Sequence, residues 1–380
     1  MRWRGEYKVP GGKLVAVGIA EDRAGKVASC AIDGDFFVDT TDDADAQELL
    51  EGLGAALVSG SSLDDVFAAH PATRLVGTDA HALREAYRRA KAKADGAHGA
   101  THGASDAKRV SLSANFHGSN AGDMRCSGDR KDAGVGKRKI LRQWHARWNS
   151  LGPEVVVDVP RSPAGQMRTD ELWARQVADG SRPATLRFWH WSGPAVVIGR
   201  FQSAADEVDL DEAGREGFAV VRRSTGGGAM FVEPANVITF SLYVPAPFLA
   251  DMSVTDSYAF LDMWLIDALR DMGLDVGRSG MNDIASPRGK IGGAAQRRYP
   301  SSGGGPGAVL HHVTLSYDID ASKMARVLRI SEEKRSDKAV KSAVKSVDPL
   351  ARQTGMTRET ILASLVSSAS RRYNMNRRLN

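Results

Sequence analysis

Cysteine is nearly absent from this chain, with only Cys30 and Cys126 among 380 residues. Two cysteines without metal-ligand spacing exclude a disulfide framework and give no reason to expect structural zinc. No apolar run approaches the roughly 20 residues that span a bilayer. The opening MRWRGEYKVPGG also lacks the apolar stretch of a secretion signal, so the expectation is a cytoplasmic protein with no membrane partner. A strong excess of one charge is missing too. Lys and Arg number 51 against 46 Asp and Glu, a net charge of +5. The positive residues are spread out, with no aromatics interleaved in a basic stripe, which argues against a nucleic-acid partner. An acidic partner or a polyphosphate ligand explains the balance at least as well.

The length predicts two or three domains. Residues 1–94 read as a small α/β unit. Leu14–Ala20 and Lys26–Ile32 are strand-like around an EDRAG turn, and helical patterns follow at Ala46–Leu53, Leu63–Ala69 and Asp79–Ala94. Residues 95–150 read as a flexible linker rich in Gly, Ala, Ser, His, Asp and Lys. Its His98, His102 and His117 have no regular metal spacing. Residues 151–380 form a larger domain. Strands are expected at Glu154–Val159, Thr185–Trp191, Pro194–Phe201, Phe218–Arg223, Val237–Val244 and Val309–Tyr317. Amphipathic helices are expected at about Thr255–Met272 and at Arg358–Tyr373. Strands interleaved with helices predict an α/β (α+β) domain on one central sheet.

Between two of those strands lies RRSTGGGAM, with Arg222 and Arg223, Ser224, the run Gly226, Gly227, Gly228, and then Ala229. Three glycines together belong where backbone must approach something closely. An anion cradle beside two guanidinium forks and a plain glycine-rich hairpin fit the run equally well. Downstream, Lys290 precedes the small residues Gly292, Gly293, Ala294 and Ala295, which would let a ligand lie against the strand. A lysine there is a point charge able to neutralise a phosphate; taken alone it is one more exposed lysine. Asn282 and Asp283 carry oxygens of the kind magnesium takes beside nucleotide phosphates, or else simply form a turn. Adjacent His311 and His312 must point to opposite faces of a strand, so at most one faces a given pocket.

These motifs together bear a resemblance. RRSTGGGAMF followed by Asn236 resembles the RRxSGGGAVxHDxGN signature of lipoate-protein ligases, within the biotin/lipoate-ligase fold family. KIGGAAQ at 290–296 resembles the family's KxSGxAxR element, and LHHVTLSYDID at 310–320 its HHGTLLLxxD strand. VVIGRFQ at 196–202, NDI at 282–284 and the segment Val327–Leu350 follow the same order. Ordered matches over about 200 residues are far more specific than any one of them. Val232 and Glu233 stand where the family often has His-Asp, and Val313 replaces the glycine after the paired histidines. GEYKVPGGKLVAV at 5–17 and IDGDFF at 32–37 resemble the family's small accessory domain, here fused N-terminally.

The resemblance implies that lipoate and ATP, with Mg2+, give lipoyl-AMP and pyrophosphate, after which the lipoyl group passes to a lysine of an acceptor protein. Acceptors of that kind are the acyltransferase subunits of 2-oxoacid dehydrogenases, the glycine-cleavage H protein or a specialised carrier. It implies Lys290 as the catalytic cation. Binding of lipoyl-AMP or ATP would fall to Arg222, Arg223, Ser224, Gly226, Gly227, Gly228, Ala229, Asn236, Asn282, Gly293, Ala295 and His312, with Asp283 for the metal. Where one arginine alone faces the ligand, the expectation is Arg223. The alternatives are an octanoyltransferase, a biotin-protein ligase, or a non-catalytic lipoyl-binding homologue. The octanoyltransferase route needs a thiolate, and the chain has no cysteine from Leu151 onward.

Overall fold

Strand β1 (Arg2–Lys8), β2 (Leu14–Glu21) and β3 (Val27–Gly34) pair antiparallel in the order β1-β2-β3. This is a computed structural model, and it describes residues 2–99, 143–148, 150–329, 347–372 and 377–379. After a short strand β4 (Phe37–Asp39) come helices α1 (Asp43–Ser59) and α2 (Leu63–Ala69), strand β5 (Arg74–Val76) and helix α3 (Ala80–Gly99). Helix α1 starts where the Asp42 carboxylate accepts the amides of Ala44 and Asp45, and it stops at Gly60 with φ 76°. Both ends use the side chains that satisfy or relax terminal backbone groups. The unit closes around Val15, Val17, Ile19, Leu49, Leu53, Leu83 and Ala86. Helix α3 lies so near β1 that a Cβ on Gly5 would sit 2.1 Å from the carbonyl oxygen of Ala86.

The larger unit is built on an eight-stranded mixed sheet. It contains β6 (Glu154–Arg161), β7 (Thr185–Trp191), β11 (Val237–Pro245), β12 (Gly277–Ser279), β13 (Asp283–Ser286), β14 (Gly289–Tyr299), β15 (Ala308–Ser316) and β16 (Arg377–Leu379). Their order is β12-β13-β14-β15-β11-β7-β6-β16, antiparallel except where β6 pairs parallel with β7 and β16. A smaller sheet, β10-β8-β9, is formed by β8 (Ala195–Ile198), β9 (Ala219–Arg222) and β10 (Met230–Val232). Helix α4 (Pro163–Ala178) covers one face of the large sheet with Trp173, Ala174 and Val177 against Tyr243 and Leu310. Helices α5 (Val254–Asp271) and α6 (Arg358–Arg372) contribute Trp264, Leu265 and Leu365 to the main core with Phe188, Phe240 and Leu242. The mixed α/β architecture agrees with the sequence expectation. No helix among the described residues is long and apolar enough to cross a membrane.

Helix α4 escaped the sequence reading for a physical reason. Its buried face carries Gln166 and Asp170 beside Trp173 and Ala174, so the apolar stripe is diluted by buried polar groups. The linker boundaries also differ. Residues 95–99 continue α3, and residues 143–148 are helical, with the Trp148 indole buried in the main core and donating to the Phe260 carbonyl at 3.1 Å. Residues 100–142 lie outside the described residues, as do 330–346 of the segment between Val327 and Leu350.

The two units meet at the glycine run. The Gly34 amide donates to the Phe201 carbonyl at 2.9 Å, and the Gly227 amide donates to the Phe36 carbonyl at 3.3 Å. The Phe36 and Phe201 rings stack with centroids 5.3 Å apart. At the rim, Arg298 pairs with Asp39 at 2.8 Å and Arg200 with Asp43 at 2.6 Å. A Cβ on Gly226 would stand 2.6 Å from the Phe36 carbonyl oxygen and 3.1 Å from the Phe37 Cα. Gly226→Ala is therefore expected to force the units apart locally. Amide hydrogen exchange at Gly34 and Gly227 should accelerate at least about tenfold while the α5 amides stay protected; unchanged protection at both glycines would overturn this account.

Candidate functional site

One register row crosses five strands of the large sheet. Asp283 of β13 pairs with Gly293 of β14, Gly293 with Thr314 of β15, Thr314 with Thr239 of β11, and Thr239 with Trp189 of β7. Cross-strand partners share a face, and all five line a single cavity of about 950 Å³. With strands about 4.8 Å apart, the row spans roughly 19 Å. Its chemistry changes along the way. At the Trp189 end the walls are Met167, Val197, Met230 and Val237. At the Asp283 end they are Lys290, Asn282, Lys13 and Asp35, the last two from the N-terminal unit.

Lys290 reaches this end because Gly293 has no side chain. A Cβ there would stand 3.1 Å from the Lys290 Nζ and 3.3 Å from its Cε, so the lysine lies across the bare strand and pairs with Asp283 at 2.8 Å. Thus Gly293 makes room for the lysine itself rather than for a ligand alone. A register irregularity between Ile284 and Ala285 shifts the pairing just there. On the backbone side, the Lys290 carbonyl accepts the Asp348 amide at 2.8 Å, which pins the chain where it returns after residue 347.

Arg223 lines the cavity but directs its guanidinium at the glycine loop. It donates to the carbonyls of Val197 at 3.1 Å, Gly226 at 2.8 Å and Gly228 at 2.9 Å, and to the Thr225 hydroxyl at 3.0 Å. Burial pushes its pKa down to about 10, still cationic at neutral pH. Arg222 points the other way, as neighbours on an extended chain must. Its guanidinium binds the carbonyls of Gly199 and Arg200, each at 2.9 Å, and Gln202 at 2.7 Å, away from the cavity lining. One arginine thus ties a neighbouring loop, and the other, Arg223, which is the one expected at the ligand where only one faces it, lines the cavity and shapes the glycine loop from within.

His312 sits midway along the cavity in a buried polar chain. Its Nδ1 is 2.8 Å from Asp170 Oδ2 and its Nε2 2.8 Å from the Thr225 hydroxyl. Asp170, on α4, also accepts from the hydroxyls of Tyr243 at 2.6 Å and Ser241 at 2.5 Å. Burial holds the His312 imidazole below its ordinary range, although Asp170 opposes this. With Nδ1–H donating to Asp170, the neutral ring offers Nε2 to the Thr225 hydroxyl. His311 faces the opposite side of the sheet, where its Nε2 meets Asp262 of α5 at 2.8 Å. That split is the one the strand geometry predicts.

Of the residues singled out in the sequence, the cavity gathers Lys290, Arg223, Gly227, Gly228, Ala229, Asn282, Asp283, Gly293, Ala295 and His312. Arg222, Ser224, Gly226 and Asn236 lie outside its lining. Ser224 shares a hydrogen bond with the Tyr299 hydroxyl at 3.0 Å, and Asn236 donates to Glu233 at 2.9 Å. Gly226 backs onto Phe36. Sequence reasoning missed Lys13, Asp35, Asp170 and Trp189. The clue to Lys13 was the glycine pair in VPGGK, whose turn throws the lysine clear of its own sheet.

The donor set at Asp283 does not fit a resident magnesium ion. Its carboxylate is paired with Lys290, the Asn282 Oδ1 accepts from Lys13 at 2.8 Å, and no group of three or more metal-binding side chains occurs among the described residues. Two ammonium groups on one carboxylate and one amide repel a divalent cation.

The larger unit is similar to known proteins. Residues 162–369 match the lipoyl protein ligase A/B catalytic domain. Lipoate-protein ligase A subunit 1 of Thermoplasma acidophilum is 30% identical over 195 residues, which cover 50% of this chain and 72% of that protein. Octanoyltransferase LipM of Symbiobacterium thermophilum is 31% identical over 200 residues, covering 47% of this chain and 70% of that protein. Among solved structures, a bi-partite lipoate protein ligase from Thermoplasma acidophilum, described with its E2 lipoyl domain, superposes with a TM-score of 0.50. It is 26% identical and covers 60% of this chain and 87% of its own.

The buried neutral imidazole has a consequence for stability. A histidine whose pKa falls on folding costs nothing above its ordinary value of 6.5, and folding stability is lost as pH drops below that value, because the unfolded chain takes the proton first. Between pH 7.5 and 5.5, chemical denaturation should show a smaller stability loss for His312→Asn than for the wild type. Equal losses would show that His312 titrates normally in the folded protein.

Proposed function

The chain belongs to the lipoyl protein ligase A/B catalytic-domain family, and on that premise we propose that it is an ATP-dependent lipoate-protein ligase. It activates lipoate to lipoyl-AMP and transfers the lipoyl group to a lysine of a lipoyl-carrier protein. The observation that carries this reading is the polarity of the row from Trp189 to Asp283. An apolar acyl chain fits the Met167, Trp189 and Val237 end, which places its carboxylate towards Lys290. There the carboxylate oxygen attacks the α-phosphorus of ATP, the bond to the bridging oxygen breaks, and pyrophosphate leaves with the electron pair. Two anions must meet in that step, and a fixed ammonium group is what lowers its barrier. Lys290 supplies it, held by Asp283 until the anions arrive. Gly227 and Gly228 let the adenylate lie close to the loop that Arg223 holds open.

Residues 1–94 fit the role of the accessory domain in this reading, since their turn and Asp35 form part of the cavity wall. Acceptor proteins would be lipoyl domains of the kind described with the Thermoplasma ligase. The likeness to LipM favours a second reading, octanoyl transfer from a carrier. That route needs a thiolate in the cavity. Among the described residues no cysteine lines it, and Cys30, on β3 of the N-terminal unit, has its thiol pushed up to about 11 by burial.

ATP–pyrophosphate exchange measured in parallel with lipoate, octanoate and biotin tests the proposal. Exchange is expected with lipoate, and Lys290→Ala should lower it by roughly a hundredfold or more without loss of the folded baseline in circular dichroism. Exchange with no acid would reject the ligase reading, and near-wild-type exchange by Lys290→Ala would reject the lysine's role.

A further inference from the structure

The N-terminal unit does more than cover the cavity: it puts a second cation into it. Strands β1 and β2 are joined by the turn Val9–Gly12, which is held from several sides. The Gly12 amide donates to the Val9 carbonyl at 2.9 Å, the Val9 amide to the Lys13 carbonyl at 3.1 Å, and the Lys8 ammonium to the Gly12 carbonyl. Gly11 takes φ 68°, a conformation that favours glycine. The Lys13 amide is anchored on the Gly77 carbonyl at 2.6 Å. A Cβ on Gly77 would meet the Lys13 Cγ at 2.4 Å, so the passage through which the side chain runs exists only because residue 77 is glycine. At its end, the Lys13 Nζ is 2.8 Å from Asn282 Oδ1 and 4.9 Å from the centre of the Phe37 ring.

That position is built for an anion. Three lysines (Lys8, Lys13, Lys290) and two carboxylates (Asp35, Asp283) line the polar end, an excess of one positive charge before Arg223 is counted. Asn282 gives Lys13 a neutral partner rather than a countercharge. Burial, with Lys290 and Lys8 nearby, lowers the Lys13 pKa to about 8 against the pull of Asp35 and Asp283, the mark of an ammonium short of water.

We infer that Lys13 is a phosphate-binding residue of the adenylation step, contributed across the interface by the N-terminal unit to hold the pyrophosphate portion of ATP while Lys290 serves the carboxylate and α-phosphate. The assignment of sides follows from the row. The acyl end lies at Trp189, Lys290 lies over Gly293, and Lys13 enters beyond it at Asn282, on the far side from the apolar walls. In the reaction the electron pair of the broken bond goes to pyrophosphate, and Lys13 neutralises the charge gained there. The adenylating site is then complete only with the N-terminal unit docked, whereas transfer from a finished adenylate, which has no pyrophosphate, does not use Lys13.

The inference rests on the adenylating reading, and its test separates the two. Full-length wild type, Lys13→Met and Lys13→Arg are compared in lipoate-dependent ATP–pyrophosphate exchange and in transfer from supplied lipoyl-AMP, with amide exchange at Gly34 and Gly227 reporting the docked state. Lys13→Met should lose at least about tenfold in kcat/KM for ATP and raise KM for pyrophosphate. Its transfer rate should stay within about twofold of wild type, and Lys13→Arg should recover most of the exchange. Unchanged exchange in Lys13→Met overturns the inference, and so does an equal loss in both half-reactions, which marks a docking defect. If the wild type exchanges with no acid, the enzymatic reading fails instead. Equilibrium binding of inorganic pyrophosphate then judges Lys13 directly, and equal affinity in wild type and Lys13→Met sinks its role.

Discussion

The polar end of the cavity depends on backbone touching backbone at Gly226–Gly228. Where Gly34–Phe37 of the N-terminal unit crosses this loop, the amide of Gly227 and the carbonyl of Phe36 meet, and Gly226 has no room for a methyl group. This contact fixes the distance between the units and so decides where Lys13 and Asp35 stand relative to Lys290. The same loop is held from beneath by Arg223, whose donors are spent on its carbonyls. A glycine triplet that looks like a ligand cradle is thus first a joint, with one face taken by another part of the chain and the other turned to the cavity.

The polar interior of the larger unit serves this joint. Asp170 collects donors from Ser241, Tyr243 and His312, and His312 passes the connection to Thr225, immediately before the glycines. A carboxylate accepting several hydrogen bonds inside a sheet-and-helix core is costly unless all are satisfied. Here they connect α4, β11, β15 and the glycine loop into one rigid piece. The apolar core on the opposite face, around Trp264 and Phe240, needs no such connection and carries the ordinary burden of stability.

Much of the fold was legible in the sequence, because strands such as Thr185–Trp191 and the helix over Val254–Asp271 declare themselves by their periodicity. Helix α4 did not, since Gln166 and Asp170 interrupt its apolar face. Within the site, Lys290, His312 and the glycine run were legible as chemistry. The separate orientations of Arg222 and Arg223 followed from strand alternation, but what each side chain binds depends on loops distant in sequence. Lys13 lies 269 residues from Asn282, its hydrogen-bond partner. No local pattern announces a contact across such a separation; only the glycines at 11, 12 and 77 hint that something must pass closely there.

At the glycine run the joint between the units is made by main-chain amides and carbonyls, which every residue type carries, while side-chain pairs such as Arg298–Asp39, Arg200–Asp43 and Lys13–Asn282 stand around it. Replacing the side chains around it by alanine one at a time would leave those bonds in place, so a conventional scan would register the ring stack and the rim pairs but miss the main-chain contact at the centre. Adding a single methyl group at a glycine disturbs it more than removing a whole ring nearby would suggest. Evolutionary drift and protein engineering therefore meet an interface whose centre is guarded by positions that have no side chain to lose.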